Sequence, residues 1–237
     1  MTTRAHARPA KEKQPLPPAL PPAERTVGQL VAETIKLYGS RFRPALALGV
    51  APATVVALGA WLHGPAQWAA VLSSGPVLLA ATLVGATLVA RPDADRRLVP
   101  AAWAAGVVAF APPVASRIVV FPGIYLVALA WLGFVGLSVP AILVERLSLS
   151  RGLARGVALA RADPVHAVGG LATLVLTIIL TAFVLTFLLR GFGDQGLRVA
   201  ALIAILVLAP LFFLGMTLLY EDQAARVRLG PPDSGGA

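Results

Sequence analysis

The chain contains no cysteine and few histidines, and each shortage excludes a kind of site. Without cysteine, neither a disulfide framework nor a thiolate nucleophile nor a cysteine metal site can form. The three histidines, His6, His63 and His166, are far apart along the chain, and a catalytic metal needs several ligands brought together. The sequence therefore predicts neither a metal site nor a cofactor.

Charged residues are also scarce. They make up 13% of the 237 residues, whereas a soluble globular domain carries about 25%. Hydrophobic residues make up 57%, and the mean hydropathy is +0.80. A water-soluble fold could not cover its surface with so few polar groups, so the composition indicates a chain that resides in a bilayer. The net charge of +9 does not indicate a nucleic-acid partner, because the basic residues lie in short segments between apolar runs.

Six apolar runs approach or exceed the ~20 residues that cross a hydrocarbon core, and none has a charged residue well inside it. The predicted spans are 44–62, 67–90, 99–120, 122–144, 167–189 and 199–220. In the third, Pro112-Pro113 removes backbone donors, which predicts a kink or an early end. The predicted fold class is all-α, a polytopic transmembrane helical bundle of about six spans (residues 44–220).

Basic residues are divided unequally between the two predicted sides of the membrane. Seventeen of the 20 Lys and Arg residues fall on the side with both termini, and the other side has Arg117, Arg190 and Arg198. Because basic residues accumulate in cytoplasmic segments, both termini are predicted to be cytoplasmic. The abundance of Ala, Gly, Pro and Arg is typical of high-GC bacterial coding and predicts a bacterial cytoplasmic membrane.

The two ends of the chain are predicted to be cytoplasmic tails. Residues 1–24 are rich in Pro, Ala and basic residues, which predicts a disordered segment, and 221–237 form the second tail. Between the first tail and the first span, 25–43 predicts an amphipathic interfacial helix, because Thr26 and Gln29 have capping-box spacing and apolar residues recur at helical period. Lying in the interface and packing against the bundle both satisfy this pattern.

The loop between the fourth and fifth spans predicts a second amphipathic interfacial helix, at 148–162, which Ser148 or Ser150 can cap. Its predicted apolar face consists of Leu149, Leu153, Val157 and Ala160. Arg151 and Arg155 stand one turn apart on this helix, and with Arg41 and Arg43 they are predicted to contact anionic lipid headgroups. The simpler alternative is that these arginines only anchor the chain on the cytoplasmic side.

Two patterns that could carry chemistry have structural explanations. Residues 191–196, Gly-Phe-Gly-Asp-Gln-Gly, match the dinucleotide-binding GxGxxG pattern but join two predicted spans instead of following a strand, so they predict a tight turn. Four carboxylates lie near the cytoplasmic boundary, where such groups cap helices or pair with arginine; they are Glu145, Asp163, Glu221 and Asp222. No catalytic residue is predicted.

Several short motifs occur in an order that resembles a known bacterial membrane family. They are Thr26 to Leu30, Pro122-Gly123-Ile124-Tyr125-Leu126, Pro140 to Glu145, the arginine-containing segment 153–161, and a closing segment with Tyr220, Asp222, Arg226 and Arg228. Together they are similar to the membrane domain associated with glycerophosphoryl diester phosphodiesterases and to related stand-alone proteins. The resemblance implies a helical membrane domain without hydrolysis, because that family's chemistry belongs to a separate soluble domain.

These patterns predict a non-enzymatic membrane protein with a structural, lipid-associating or regulatory role. The alternative is a transporter or permease subunit, which predicts a polar site at mid-depth where the third and fourth spans meet. The predicted partners are membrane lipids, anionic ones in particular, and a membrane-protein partner or a second copy of the chain is left open.

Overall fold

The computed structural model describes residues 21–119, 121 and 123–229, which form ten α-helices and no strand. The helices are α1 (Val27–Ser40), α2 (Phe42–Ala47), α3 (Val50–Trp61), α4 (Gly64–Ala90), α5 (Val99–Ala115), α6 (Gly123–Val135), α7 (Ser138–Glu145), α8 (Leu149–Ala162), α9 (Pro164–Leu189) and α10 (Gly193–Leu229). Short 3-10 turns occupy Pro22–Glu24, Arg96–Leu98, Ser116–Ile118 and Arg190–Phe192. The predicted all-α class is confirmed.

Six stretches are long and apolar enough to cross a membrane, which confirms the predicted multi-pass bundle. They are Phe42–Trp61, Gly64–Ala90, Arg96–Ile118, Gly123–Glu145, Pro164–Leu189 and Gln195–Arg228. An even number of crossings puts both terminal segments at one end of the bundle. We call this end the terminal face, formed by 24–43, 91–98, 145–163 and 220–229. The opposite end, formed by 61–67, 116–119, 121 and 190–198, is the loop face.

The third span continues through its two prolines. Helix α5 passes Pro112 and Pro113, reaches Ala115 and leads into the turn Ser116–Ile118. The Ser116 backbone N–H donates to the Pro112 carbonyl, and the Ser116 hydroxyl donates to the Pro113 carbonyl at 2.7 Å. The early end, one of the two outcomes predicted at these prolines, is therefore wrong. Pro112 leaves the Val108 carbonyl without its helical donor, and the Trp131 indole N–H of α6 donates to that carbonyl at 3.3 Å.

Helix α1 packs against the bundle. The predicted capping box is confirmed, since the Thr26 hydroxyl accepts from the Gln29 N–H and the Gln29 side chain accepts from the Thr26 N–H at 2.8 Å. Leu30 and Thr34 are buried, and α1 contacts α9 and α10. The sequence left open whether α1 packs against the bundle or lies in the membrane interface. The structure shows the packing, and a position in the interface stays a prediction.

Helix α8 begins after Ser148, as predicted, although the Ser148 side chain makes no capping hydrogen bond. The helix meets its neighbour through a face other than the predicted one. Gly152 and Gly156 are buried, and a Cβ at either would overlap Ile142 or Ser138 of α7. Of the predicted apolar face, Ala160 is buried whereas Leu149 is exposed. Two helices approach closely where their facing residues are small, so the glycine face of α8 lies against α7.

The sixth span, α10, continues beyond its predicted end. Residues 221–229, predicted as part of a tail, extend α10 by more than two turns, and Asp222 and Gln223 are fully buried. The predicted end of the span at Tyr220 is therefore wrong, because 221–229 are helical. Residues 230–237 lie outside the described residues. At the other terminus, 1–20 also lie outside them, and Pro22–Glu24 contacts α10. The polar contacts that hold this extension are those of the candidate site.

Candidate functional site

Four carboxylates on the terminal face are each paired with an arginine from a different element of the chain. The pairs are Asp222 with Arg25, Glu145 with Arg155, Glu221 with Arg91, and Asp163 with Arg226. We call these residues, with Tyr220 and His166, the terminal cluster. The sequence predicted that these boundary carboxylates cap helices or pair with arginine, and the structure confirms it.

Glu145 connects three helices. It is the last residue of α7, and its carboxylate accepts from the Arg155 guanidinium of α8 at 2.9 Å and from the Tyr220 hydroxyl of α10 at 2.9 Å. Tyr220 is buried, and a buried tyrosine normally requires a partner for its hydroxyl. Arg146 follows in the left-handed conformation (φ 56°) and turns the chain towards α8. Glu145 therefore fixes the corner between α7 and α8 against α10.

Asp222 is a fully buried carboxylate on the extended end of α10. One oxygen accepts from the Arg25 guanidinium at 3.1 Å, and the other lies 4.0 Å from His166 Nε2. The second oxygen and His166 Nε2 have no hydrogen-bond partner among the described residues. A buried charge is very costly without its counterion, so Arg25 is essential to the burial of Asp222.

Asp163 holds the start of α9. One of its carboxylate oxygens accepts from the His166 backbone N–H at 3.0 Å, which caps α9, and the other accepts from Arg226 at 3.3 Å. Arg226 also donates to the Arg25 carbonyl at 2.9 Å, and the Gln223 amide donates to the Asp163 carbonyl at 3.3 Å. The end of α10 is thereby bound both to α9 and to the segment before α1.

Arg91, just after α4, binds two carboxylates. Its guanidinium donates to both oxygens of Asp93, at 3.0 and 2.9 Å, and to Glu221 at 3.2 Å. The hydrogen bonds from Arg91 lower the pKa of Asp93 to about 2, and the hydrogen bond to Asp93 is the main cause that raises the pKa of Arg91. Both groups therefore stay charged at neutral pH, and α4 is joined to α10 by an ion pair.

Because the acids are occupied inside the cluster, the charges exposed on the terminal face are mostly basic. Eight basic residues of the described chain are exposed there, namely Lys36, Arg43, Arg96, Arg97, Arg146, Arg151, Arg161 and Arg228. The exposed acids of the described residues on this face are Glu24 and Asp93. The terminal face thus presents a positive surface over a neutralised interior.

The four arginines predicted to contact headgroups fall into two kinds. Arg43 and Arg151 are exposed, whereas Arg41 donates to the Val89 carbonyl at the end of α4 and Arg155 is paired with Glu145. The structure places one exposed and one engaged arginine in each predicted pair, and headgroup contact stays a prediction for all four.

The residues that carry the family resemblance lie at both ends of the bundle. Glu145, Tyr220 and Asp222 belong to the terminal cluster, although they are distant in sequence. Gly123, Ile124 and Tyr125 begin α6 near the loop face, and Tyr125 is exposed; Pro122 lies outside the described residues. The resemblance motifs therefore contribute to the cluster these three residues and two of the arginines, Arg155 and Arg226, but not Arg25 or Arg91.

Sequence reasoning missed Arg25, Arg91 and His166 as members of the cluster. Each carboxylate at a boundary indicated an arginine partner, but nothing in the local pattern showed which arginine. In the described residues, no group of three or more His, Asp or Glu side chains could hold a metal ion. The glycine pattern 191–196 was predicted to be a tight turn, but only Gly191 and Phe192 lie in the 3-10 turn Arg190–Phe192, and 193–196 begin α10, with Gly193 at φ 70°.

A cavity of about 340 Å³ lies where the third and fourth spans meet α3, α9 and α10. All of its lining residues are apolar, among them Pro52, Phe110, Pro113, Leu132 and Phe213. The transporter alternative predicted a polar site at this depth, and the cavity found there offers no polar side chain to a solute or an ion.

Comparison with protein-family models, with curated proteins and with solved structures finds no match for this chain. The resemblance to the membrane domain of the phosphodiesterase family therefore stays a prediction based on the motifs.

Proposed function

We propose that this chain is a non-enzymatic, lipid-associating protein of the bacterial cytoplasmic membrane, with its terminal face in the cytoplasm and in contact with anionic headgroups. The observation that carries the proposal is the separation of charge on that face, where acids are paired inside and basic side chains are exposed. Near an anionic membrane surface, each Lys or Arg contributes about 1 kcal/mol of attraction.

The cluster supports this proposal because it removes negative charge from the surface that would face the lipid. If Glu145, Asp163, Glu221 and Asp222 were exposed, they would cancel part of the attraction between the basic residues and lipid phosphates. With these acids engaged, Arg43 in α2 and Arg151 in α8 are left as exposed cations. Arg41 and Arg155 stabilise the protein frame and contact headgroups only with their remaining donors.

The same cluster argues against catalysis as the role of this face, since every one of its four carboxylates accepts from an arginine. The transporter alternative receives less support, because the cavity at mid-depth is apolar. The hydrogen bond between Glu145 and Tyr220 supports kinship with the phosphodiesterase-associated membrane domain, because it joins two residues of separate resemblance motifs.

Lipid selectivity tests the proposal directly. The protein is reconstituted in phosphatidylcholine vesicles, and electron spin resonance compares its association with spin-labelled phosphatidylglycerol and phosphatidylcholine. We expect wild type to prefer phosphatidylglycerol and Arg43→Gln/Arg151→Gln to lose a large part of this preference. Arg190→Gln/Arg198→Gln, two arginines of the loop face, is the matched control and should keep it. An unchanged preference in the Arg43/Arg151 variant would refute headgroup contact at these positions.

Membrane orientation is tested separately. Because the chain has no cysteine, a single introduced cysteine is the only thiol that a labelling reagent can modify. Ser150→Cys at the start of α8 and Gly191→Cys in the turn before α10 are both exposed. In intact spheroplasts, an impermeant maleimide should label Gly191→Cys alone. Labelling of Ser150→Cys instead would place the terminal face outside and contradict the proposal.

A further inference from the structure

Two adjoining cavities, each open along one side to the surface of the bundle, form a mainly apolar passage from the loop face to mid-depth. The outer one, about 480 Å³, lies between α3, α4 and α5 and includes Gln67, Trp68 and Arg117 in its wall. The inner one is the apolar cavity of about 340 Å³ described above. Both share Val55, Val56, Leu79 and Pro113 as lining residues, so they meet along one wall. Each volume lies within the about 300–1,000 Å³ typical of small-molecule sites.

Arg117 marks the polar end of this passage. It lies in the 3-10 turn Ser116–Ile118 that ends the third span, and it is exposed. It makes no salt bridge with any side chain that the structure describes, unlike Arg25, Arg91 and Arg155 on the terminal face. A guanidinium at the mouth of an apolar passage complements an anionic group attached to an apolar chain.

The inner cavity determines what kind of molecule can follow that anionic group. Its lining offers no hydrogen-bonding side chain, so a polar solute would lose its hydration without compensation. A hydrocarbon chain has no polar group to desolvate, so it matches the apolar lining between α3, α5, α9 and α10. A single arginine at the mouth matches one carboxylate, which it can bind through two parallel hydrogen bonds.

We infer that the passage binds a long-chain fatty acid, with the carboxylate on Arg117 and the acyl chain in the cavity between α3, α5, α9 and α10. This site lies on the opposite face from the one in the proposed function and does not depend on it. It gives the chain a specific ligand in addition to headgroup contacts.

Binding of radiolabelled palmitate to the full-length protein in neutral detergent tests the inference. We expect one saturable site per chain. Arg117→Gln should weaken binding about tenfold or more, the usual effect of losing a hydrogen bond to a charged group, whereas Arg117→Lys should retain part of it. Arg190→Gln is the matched control, since Arg190 is an exposed arginine of the same face that stacks on Phe187 at 3.9 Å and lines neither cavity.

A second variant tests the apolar part of the passage. Val56→Trp places a large side chain where the two cavities meet and should abolish palmitate binding. Because this change in a packed region can disturb folding, its melting temperature is measured alongside, and the chain-length dependence is measured in wild type. Shortening the acid by two methylenes should weaken binding about tenfold, the effect of removing that much buried hydrocarbon.

Several outcomes would overturn the inference. Palmitate binding that is unchanged in both Arg117→Gln and Val56→Trp would show that the passage is not the site. Equal affinity for hexadecanol would show that Arg117 recognises no anion, and tighter binding of palmitoyl-lysophosphatidylglycerol would identify a lysophospholipid as the occupant instead. Arg43→Gln/Arg151→Gln should leave palmitate binding intact, so failure here and failure of the headgroup proposal are distinguishable.

Discussion

The two ends of the bundle use their few polar residues in opposite ways. At the terminal face, arginine–carboxylate pairs connect α4, α7, α8, α9 and α10 with the segment before α1. At the loop face, Arg117 has no such pair among the described side chains and adjoins an apolar passage. The terminal end is therefore closed by charge pairs, while the loop end is left open to apolar molecules.

Burial along single helices follows the same division. The buried residues of α9 all lie at or before Leu174, and its loop-side half exposes large side chains such as Leu180 and Phe183. In α10, Phe213 to Tyr220 form a continuous buried run towards the terminal face. A helix packed at one end and free at the other leaves room between spans, which explains why one cavity opens at the loop face and the other reaches to mid-depth.

The largest expected effect comes from breaking the buried pair at the terminal face. Arg25→Gln should destabilise the protein by about 3–5 kcal/mol, because it leaves the fully buried Asp222 without its counterion. Urea unfolding in mild detergent, followed by circular dichroism, measures this change. Arg228 is an exposed arginine on α10, the helix that carries Asp222, and Arg228→Gln should change the stability little. If the two variants unfold alike, the pair does not hold the terminal end.

A smaller effect is expected at the contact between α7 and α8. Gly156→Ala should cost about 1–3 kcal/mol, because its Cβ would overlap the backbone and hydroxyl of Ser138. Gly169→Ala on α9 is the control, since no atom lies within 4 Å of its added Cβ, and it should be neutral or stabilising. Thermal unfolding of the two variants compares them, and a neutral Gly156→Ala would contradict close docking of α8.

Removing the tyrosine hydroxyl from the cluster should have a more modest effect. Tyr220→Phe deletes one hydrogen bond to Glu145 and should cost about 1–2 kcal/mol. A double-mutant cycle with Arg155→Gln tests coupling, because both groups bind the same carboxylate. Strictly additive losses in urea unfolding would show that Glu145 does not join the two side chains.

The smallest effect concerns the exposed pair between Arg91 and Asp93. Arg91 lowers the pKa of Asp93 from 3.8 to about 2, so the stability it contributes is present above pH 3.8 and is lost as the pH falls towards 2. The stability difference between wild type and Asp93→Asn should therefore shrink over this range. Thermal unfolding at several pH values measures it, and a constant difference would exclude an ionised contribution from Asp93.

Much of the fold could be predicted because a membrane span is recognised from the hydropathy of residues that are neighbours in the sequence. Each span is recognised from about 20 neighbouring residues, and the capping box from Thr26 and Gln29 alone. The end of α10 was placed too early, because a window that meets Glu221 and Asp222 predicts a polar boundary. It does not detect that Arg91 and Arg25 neutralise these two carboxylates from other parts of the chain.

The candidate site was predictable only in part for the same reason. The carboxylate positions and their tendency to pair with arginine follow from the sequence, but Arg25 and Asp222 are 197 residues apart, and no local pattern connects them. The contact face of α8 was likewise misplaced, because apolar periodicity emphasises Leu149 over Gly152. Close packing favours the glycine, a preference that depends on the shape of α7.

The sequence by itself determined that this is an all-α, multi-pass protein with six spans and with most of its charge at one end, because burial in a bilayer is a sum over local composition. Only the tertiary structure decided which arginine neutralises which acid, that α10 runs on to Leu229, and that an apolar passage opens beside Arg117. These features depend on distances between residues far apart in the chain, and such distances are set by how the helices pack.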